Sequence, residues 1–363
     1  MLICNVVGAR PNFMKMAPVI GALAARSLPQ VLVHTGQHYD NAMSQVFFDE
    51  LGMPRPDIFL NVGSDNQARQ TAKIMTSFDA VCEERRPDLV IVAGDVNSTL
   101  ACALVAAKRN IPVAHVEAGL RSFDRGMPEE INRVLTDHIS DFLFTSEAGA
   151  ETNLRNEGID AAKIHFVGNC MVDTLFKHRD AAVRREPWKK YGLEPGRYAL
   201  VTLHRPSNVD EPQKLGQLLE VIARIAREIP VLFPVHPRTR ERLKQLPPAD
   251  APALQFCDPL PYVDFVGLMA KARVALTDSG GIQEETTALG VPCLTLRRNT
   301  ERPATLTHGT NRLVGDDPAA IFAGFEATMA DASIASRQPP RWDGAAAPRI
   351  ASVIADYFRA RAV

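Results

Sequence analysis

The stretch IPVAHVEAGLRSFDRGMPEEINR, Ile111 to Arg133, decides how the chain folds. An apolar run, IPVAHV, leads directly into Glu117. Beyond it, one loop and one helix start carry Asp124, Glu129 and Glu130, interleaved with Arg121, Arg125 and Arg133. A short apolar run without polar alternation belongs to a strand buried on both faces, as in parallel sheets covered by helices. Charge of both signs gathered at its carboxyl end marks the side on which doubly wound sheets bind ligands.

The same pattern repeats outward from that stretch. Strands are expected at LICNVV, VLVHT, LVIVAG, VAHV, FLFTS and IHFVG in the first half. ALVTLH, VLFPVH, LQFCD, VALTD, PCLTL and RLVG follow in the second. Helical stretches such as APVIGALAARS and LGQLLEVIARIAREI, apolar at the 3.6-residue period, lie between them. The alternation implies an α/β chain of two Rossmann-like doubly wound domains facing across a cleft. The charged segment DAAVRREPWKKYGLEPGRY, with its two prolines, interrupts the pattern and puts the boundary within residues 168–195. The domains are taken as 1–170 and 171–363, the last helix, PRIASVIADYFRARAV, being free to pack back on the first.

Composition narrows the function. A chain of 363 residues, 46% hydrophobic and 23% charged, suits two globular domains. Its net charge of −1 provides no field to gather nucleic acid or anionic membrane. No apolar run approaches the ~20 residues of a membrane span, and the N-terminus lacks a signal peptide's features. Six cysteines are scattered without a CxxC or a Cys/His cluster, which implies free thiols in a reducing, cytoplasmic setting and neither metal nor disulfide framework.

Nearly every strand ends in polar residues: GARPNFMK, TGQHYD, AGDVNSTLA, the opening stretch, TLHRPSN, PVHPRTR, TDSGGIQEE and LRRNTERP. One such ending is ordinary capping and solvation; eight on the ligand-binding face of one fold point to a site. In TDSGGIQEE, Ser279, Gly280 and Gly281 open a helix whose free N–H groups and dipole suit a phosphate, unless Asp278 or Ser279 is a plain cap. Glu284 and Glu285 follow one turn in, where a carboxylate can accept from a ribose diol. Neither GxGxxG nor GxxxxGK[ST] occurs. Arg10, Lys15, Arg302 and His204 are of the types that surround a diphosphate, although each alone is more often a surface ion pair. His204 and His236, at strand ends, would singly be structural more often than catalytic. Asp95, Glu117 and Glu129 are the acid/base candidates, since desolvated carboxylates at adjacent strand ends gain proton affinity. For Asp95 the alternative is a cap for the helix starting near Ser98. Glu130 is expected, ahead of Glu129, to be a helix-surface charge.

Assembled, these motifs resemble the non-hydrolysing UDP-N-acetylglucosamine 2-epimerase family over essentially the whole chain. GARPNFMKMAP, TGQHYD, GDVNSTLA, HVEAGLRSFDRGMPEEINR, TLHRPSNV, LTDSGGIQEE and NTERP occur in order with compatible spacing. The resemblance implies a GT-B-like fold, no cofactor, a UDP-sugar substrate, and cytoplasmic homodimers that interconvert UDP-GlcNAc and UDP-ManNAc. It puts Asp95, Glu117 and Glu129 at the sugar, with Arg133 and His204 beside the leaving diphosphate. Arg10, Lys15, Ser279, Gly280, Gly281 and Arg302 would hold phosphates, Glu285 the ribose, and Phe265 with the Leu260 backbone the uracil, His236 standing further out. Three departures bear on substrate and activation. Asn12 replaces the usual Glu, TGQHYDNAMSQ differs from the Gln-rich version that contacts an activating UDP-GlcNAc, and HRPSN replaces HRRE. They leave room for a related UDP-sugar such as a 2,3-diacetamido uronic acid.

The implied chemistry explains the residue types. The hydrogen at sugar C2 becomes removable once UDP leaves C1, giving a 2-acetamidoglucal. Reprotonation from the other face, with UDP adding back, inverts one centre without nicotinamide. A hydrolysing 2-epimerase, a GT-B glycosyltransferase and a non-catalytic UDP-sugar sensor are the rival readings.

Overall fold

A computed structural model describes residues 1–37, 48, 50–246, 251–331 and 338–361. Two compact units emerge, one of Met1–Thr174 with Pro340–Val363, the other of Leu175–Pro339. In the first, β1 (Ile3–Val7), β2 (Gln30–His34), β3 (Ile58–Phe59), β4 (Leu89–Ala93), β5 (Val113–Ala118), β6 (Phe142–Thr145) and β7 (Ile164–Phe166) form one parallel sheet. Its order is β3-β2-β1-β4-β5-β6-β7. In the second, β8 (Ala199–Thr202), β9 (Val231–Pro234), β10 (Leu254–Cys257), β11 (Val274–Thr277), β12 (Cys293–Thr295) and β13 (Asn311–Leu313) are ordered β10-β9-β8-β11-β12-β13.

Strand order reverses between β1 and β4, and again between β8 and β11. At such a reversal the following helices diverge to opposite faces and leave a crevice at the carboxyl ends. The expected strands are all present. β3 is an addition, and at two residues it is too short to leave a sequence pattern.

The sheets form because their strands are apolar on both faces: all five residues of β4, LVIVA, are buried. Ile74, Phe78 and Val81 of the helix Gln67–Arg85 pack with Val6, Val33, Val90 and Val92. The helix Pro212–Ala226 buries Leu215, Leu218, Leu219, Ile222 and Ile225 against Val201, Val231 and Phe233. Proline at its first position lacks only an N–H that would have no partner there. Asp317 caps the helix Pro318–Ala330 by accepting from the Ala320 N–H at 3.0 Å.

The boundary between the units falls inside the helix Cys170–Arg184, and the chain beyond Pro340 belongs to the first unit. The terminal helix Ala346–Arg361 packs on the helix Arg10–Ala24. Ahead of it, Trp342 is 1% exposed and its Nε1–H donates to the Ser146 carbonyl at 2.9 Å. The Ala346 and Ala347 N–H groups donate to Asp173 at 3.1 and 2.7 Å. Gly168 has a φ of +96°, and a Cβ there would stand 2.1 Å from the Arg341 carbonyl oxygen, so only glycine lets this segment approach.

Replacing Trp342 by alanine removes a fully buried indole and leaves a cavity. The expected loss is about 3–5 kcal/mol of unfolding free energy in urea titrations, with the segment beyond Pro340 becoming the first site of limited proteolysis.

Candidate active site

At the first unit's crevice, β4 and β5 pair so that Ala93 lies opposite Val116. Their continuations are Gly94-Asp95 and Glu117, which places two carboxylates at adjacent strand ends. At Glu117 the register with β6 shifts and the backbone takes φ +71°, a left-handed conformation in a non-glycine residue. Strain of this kind, about 1–3 kcal/mol, persists only where the surroundings enforce it. The bulge leaves the Glu117 side chain 2.6 Å from Lys15 Nζ, both residues being buried. Gly94 also has positive φ, and a Cβ on it would stand 2.9 Å from that ammonium. A small cavity beside the pair is lined by Ser146, Gly168, Asn169 and Cys170.

Asp95 is held from the opening stretch. Arg133 Nη2 donates to its Oδ2, and Asn132 Nδ2 donates to its carbonyl at 2.9 Å. Arg133 Nη1 in turn donates to Glu130. Glu130 overturns its expectation as a helix-surface charge: it is 3% exposed and also accepts from Ser122 N, Ser122 Oγ and Phe123 N at 3.0, 3.0 and 2.8 Å. Burial raises its proton affinity, but these donors and Arg133 outweigh that and hold it below the usual carboxylate range. Glu129 is half-buried on the same helical turn.

A second layer carries the strand ends. His115 lies between the Asp137 carboxylate (Nδ1, 2.7 Å) and the Gly94 carbonyl (Nε2, 2.7 Å), and Arg121 bridges Asp137 and Glu157. Asn12 accepts from the Gly8 and Ala9 N–H groups and donates to the Ala93 carbonyl at 2.8 Å. The departure at position 12 therefore ties the turn after β1 to the end of β4. Arg10 opens the helix Arg10–Ala24; its side chain, and residues 38–47 of the TGQHYD segment, lie outside the described residues.

In the second unit, Asp278 is fully buried just past β11 and points at the turn after β8. It accepts from the His204 N–H (3.2 Å), the Arg205 N–H (3.0 Å) and Asn208 Nδ2 (3.1 Å), and lies 2.8 Å from His204 Nδ1. Burial raises its proton affinity, but the His204 ring and these donors bring the net shift below the usual range. Asp278 is thus no helix cap. Ser279 occupies the N-cap of the helix Gly280–Leu289 without a side-chain cap bond.

The buried Arg302 pairs with Glu284 at 3.0 Å. Glu285 accepts from the Tyr262 hydroxyl at 3.0 Å. His236 is exposed past β9, while Leu260 and Phe265 are half-buried at the loop and helix after β10. Leu260 lines a cavity of about 420 Å³ with Tyr191, Arg240 and Phe256. Among the described residues, no group of three or more His, Cys, Asp or Glu could hold a metal. No described helix is long and apolar enough to cross a membrane.

The structure therefore joins Asp95 to Arg133 and Glu117 to Lys15, and sets His204 on Asp278, the residue that precedes Ser279 and the two glycines. Sequence reasoning missed Asp278 and Glu130 as partners, and Glu301, which joins Arg205 (3.2 Å) to Arg297 (2.8 Å). Their signal was present in PEEINR, TDSGG and NTERP as charged residues after a strand, but nothing in spacing says which charge turns inward.

Comparison with known proteins follows the same lines. The chain matches the family model of UDP-N-acetylglucosamine 2-epimerase over residues 22–355. It is 43% identical over 330 residues to the UDP-N-acetylglucosamine 2-epimerase of Methanocaldococcus jannaschii, covering 88% of this chain and 90% of that protein. It is 41% identical over 320 residues to the UDP-2,3-diacetamido-2,3-dideoxy-D-glucuronate 2-epimerase of Pseudomonas aeruginosa, covering 87% and 88%. The crystal structure of the M. jannaschii protein in complex with UDP-GlcNAc and UDP aligns with a TM-score of 0.90 at 40% identity, covering 98% of this chain and 100% of that one. Two parallel doubly wound sheets with polar strand ends define an α/β protein of the GT-B-like class. Within that class, the chain belongs to the UDP-N-acetylglucosamine 2-epimerase family, whose members are isomerases acting on carbohydrates.

Glu301 offers a test of the site's electrostatics. Burial raises its carboxyl, yet the Arg302, Arg297 and Arg205 charges outweigh that and hold it at about 2, against an ordinary 4.5. Ionised Glu301 therefore stabilises the folded protein. The contribution is complete above about pH 4.5 and fades as pH falls toward 2. Glu301→Gln should cost on the order of 3 kcal/mol at pH 7, measured by urea denaturation, with the difference from the native chain shrinking as the pH is lowered below 4.5.

Proposed function

We propose that the protein interconverts UDP-N-acetylglucosamine and UDP-N-acetylmannosamine by inverting C2. The observation that carries this reading is the pair of cation-bound carboxylates, Glu117 with Lys15 and Asp95 with Arg133, at adjacent strand ends. Epimerisation needs proton transfer on both faces of C2, and Asp95, Glu117 and Glu129 are the groups assigned to it. In the forward direction a carboxylate takes the C2 hydrogen as a proton. The C–H electrons form the C1–C2 double bond, and the C1–O pair leaves with the β-phosphate of UDP. The 2-acetamidoglucal then accepts a proton at the opposite face of C2, and UDP adds back at C1. Positioned acid/base groups contribute about 10²–10⁴-fold.

The cations beside the carboxylates, Lys15 and Arg133, can stabilise a departing diphosphate. Arg133 and His204 are assigned to that diphosphate. Arg10, Lys15, Ser279, Gly280, Gly281 and Arg302 are assigned to the phosphates, the first-turn N–H groups of the helix Gly280–Leu289 contributing its dipole. The Lys15 ammonium has three donors, so a phosphate can share it with Glu117. Glu285 is assigned to the ribose, Leu260 and Phe265 to the uracil, and His236 to an outer position.

We further place the enzyme in the cytoplasm, supported by six free cysteines. We assign a homodimer as its working form; Ile131 and Leu135, one turn apart and 42% and 47% exposed, provide an apolar face for a second copy. A second reading, a related UDP-sugar with a 3-acetamido and a uronate group, is favoured by the 41% identity to the P. aeruginosa relative.

Incubation in D₂O with UDP-GlcNAc, followed by proton NMR, tests the reading: UDP-ManNAc carrying deuterium at C2 is expected. Free ManNAc would mean hydrolysis, an untouched C2 would remove the proposal, and turnover of the diacetamido uronate alone would shift the substrate. Asp95→Asn, Glu117→Gln and Glu129→Gln should each lower turnover by about 10²–10⁴-fold, while UDP affinity, measured calorimetrically, stays within a few fold.

A further inference from the structure

We propose that Asp278 is a positioning residue that fixes His204 in the tautomer with its hydrogen on Nδ1, presenting Nε2 as the working nitrogen. The inference deepens the functional reading above and rests on its placement of His204 beside the leaving diphosphate.

The two residues face each other across the strand reversal of the second unit. Thr202 of β8 pairs with Thr277 of β11, and their hydroxyls lie 2.7 Å apart, which pins the register. Asp278 follows Thr277 directly, and His204 comes two residues after Thr202. The Asp278 carboxylate is 0% exposed, yet the His204 side chain that it meets at 2.8 Å is 55% exposed. An ionised carboxylate only accepts, so the hydrogen between the two must sit on Nδ1.

A staple for the turn alone would need no more than the bonds from His204 N, Arg205 N and Asn208 Nδ2. Nor is Asp278 committed to the following helix, whose N-cap is Ser279. The added bond to the ring restrains an exposed side chain that would otherwise sample several rotamers, a restraint that opposes its entropy. Such a restraint is useful when the opposite edge of the ring must meet something in a fixed direction. Once the ring takes up a second proton at Nε2, that N–H can donate to the oxygen that receives the C1–O electron pair, while Nδ1–H stays on Asp278. Asp278 balances the charge from behind without itself touching the nucleotide.

Nitrogen-detected NMR of the full chain labelled at histidine tests the geometry without any substitution. The His204 signal is expected to show Nδ1 protonated, with Nε2 bare in the neutral ring; a bare Nδ1 overturns the proposal whatever the kinetics. Asp278→Asn should lower kcat by about 10–100-fold, the range for outer partners that orient a functional histidine, with UDP affinity within about threefold. It should also redistribute the His204 tautomers. In the double variant with His204→Ala, Asp278→Asn should cause no further loss; losses that multiply would make Asp278 a scaffold only and overturn the proposal. Normal turnover by His204→Ala beside an intact Nδ1–H would instead remove His204 from the diphosphate, and with it the catalytic consequence drawn here.

Discussion

The contact between Lys15 and Glu117 is the constraint around which the first unit is arranged. Bringing an ammonium and a carboxylate out of water costs several kcal/mol per ion, and attraction offsets this only at close range with good geometry. The geometry here is obtained by distorting a strand. Glu117 leaves the ladder through a left-handed backbone, Gly94 omits the Cβ that would crowd the ammonium, and Asn12 fixes the turn from which the Lys15 helix departs. Removing the Glu117 carboxylate would take from the buried Lys15 ammonium the partner it meets at 2.6 Å.

The second unit uses its strand reversal differently. Its buried acids do not face one lysine but divide three arginines and a histidine among themselves: Asp278 takes His204 and the Arg205 backbone, Glu301 takes Arg205 and Arg297, and Glu284 takes Arg302. The result is a set of side chains held in fixed directions next to a helix start. Fixed donors of this kind stabilise developing negative charge without the reorganisation that free side chains would need.

The strand list, the parallel class and the crowding of polar residues at carboxyl ends were legible because each leaves a run of apolar residues followed by a turn. The inward or outward sense of a charge was not. Glu129 and Glu130 are neighbours in sequence with the same chemistry, and a helix separates their directions by about 100°; only Arg133, Ser122 and Phe123 decide that Glu130 is the one turned in. Asp278 was similarly ambiguous, because an acid before Ser-Gly-Gly reads as a cap until β8 is known to lie alongside. β3 was invisible for want of length. The return of the last segment left only an amphipathic helix, compatible with either unit.

That return has a consequence for biosynthesis. Trp342, with the amide donors of Ala346 and Ala347, completes the packing around Ser146 and Asp173 in the unit that begins at Met1. As the ribosome emits the polypeptide, the unit Leu175–Pro339 comes out as one continuous span. The earlier-made portion receives Trp342 and the Ala346 and Ala347 amides only when residues beyond 340 emerge. Order of synthesis and order of completion therefore run in opposite directions, and the half bearing the proposed acid/base groups is the last to become whole.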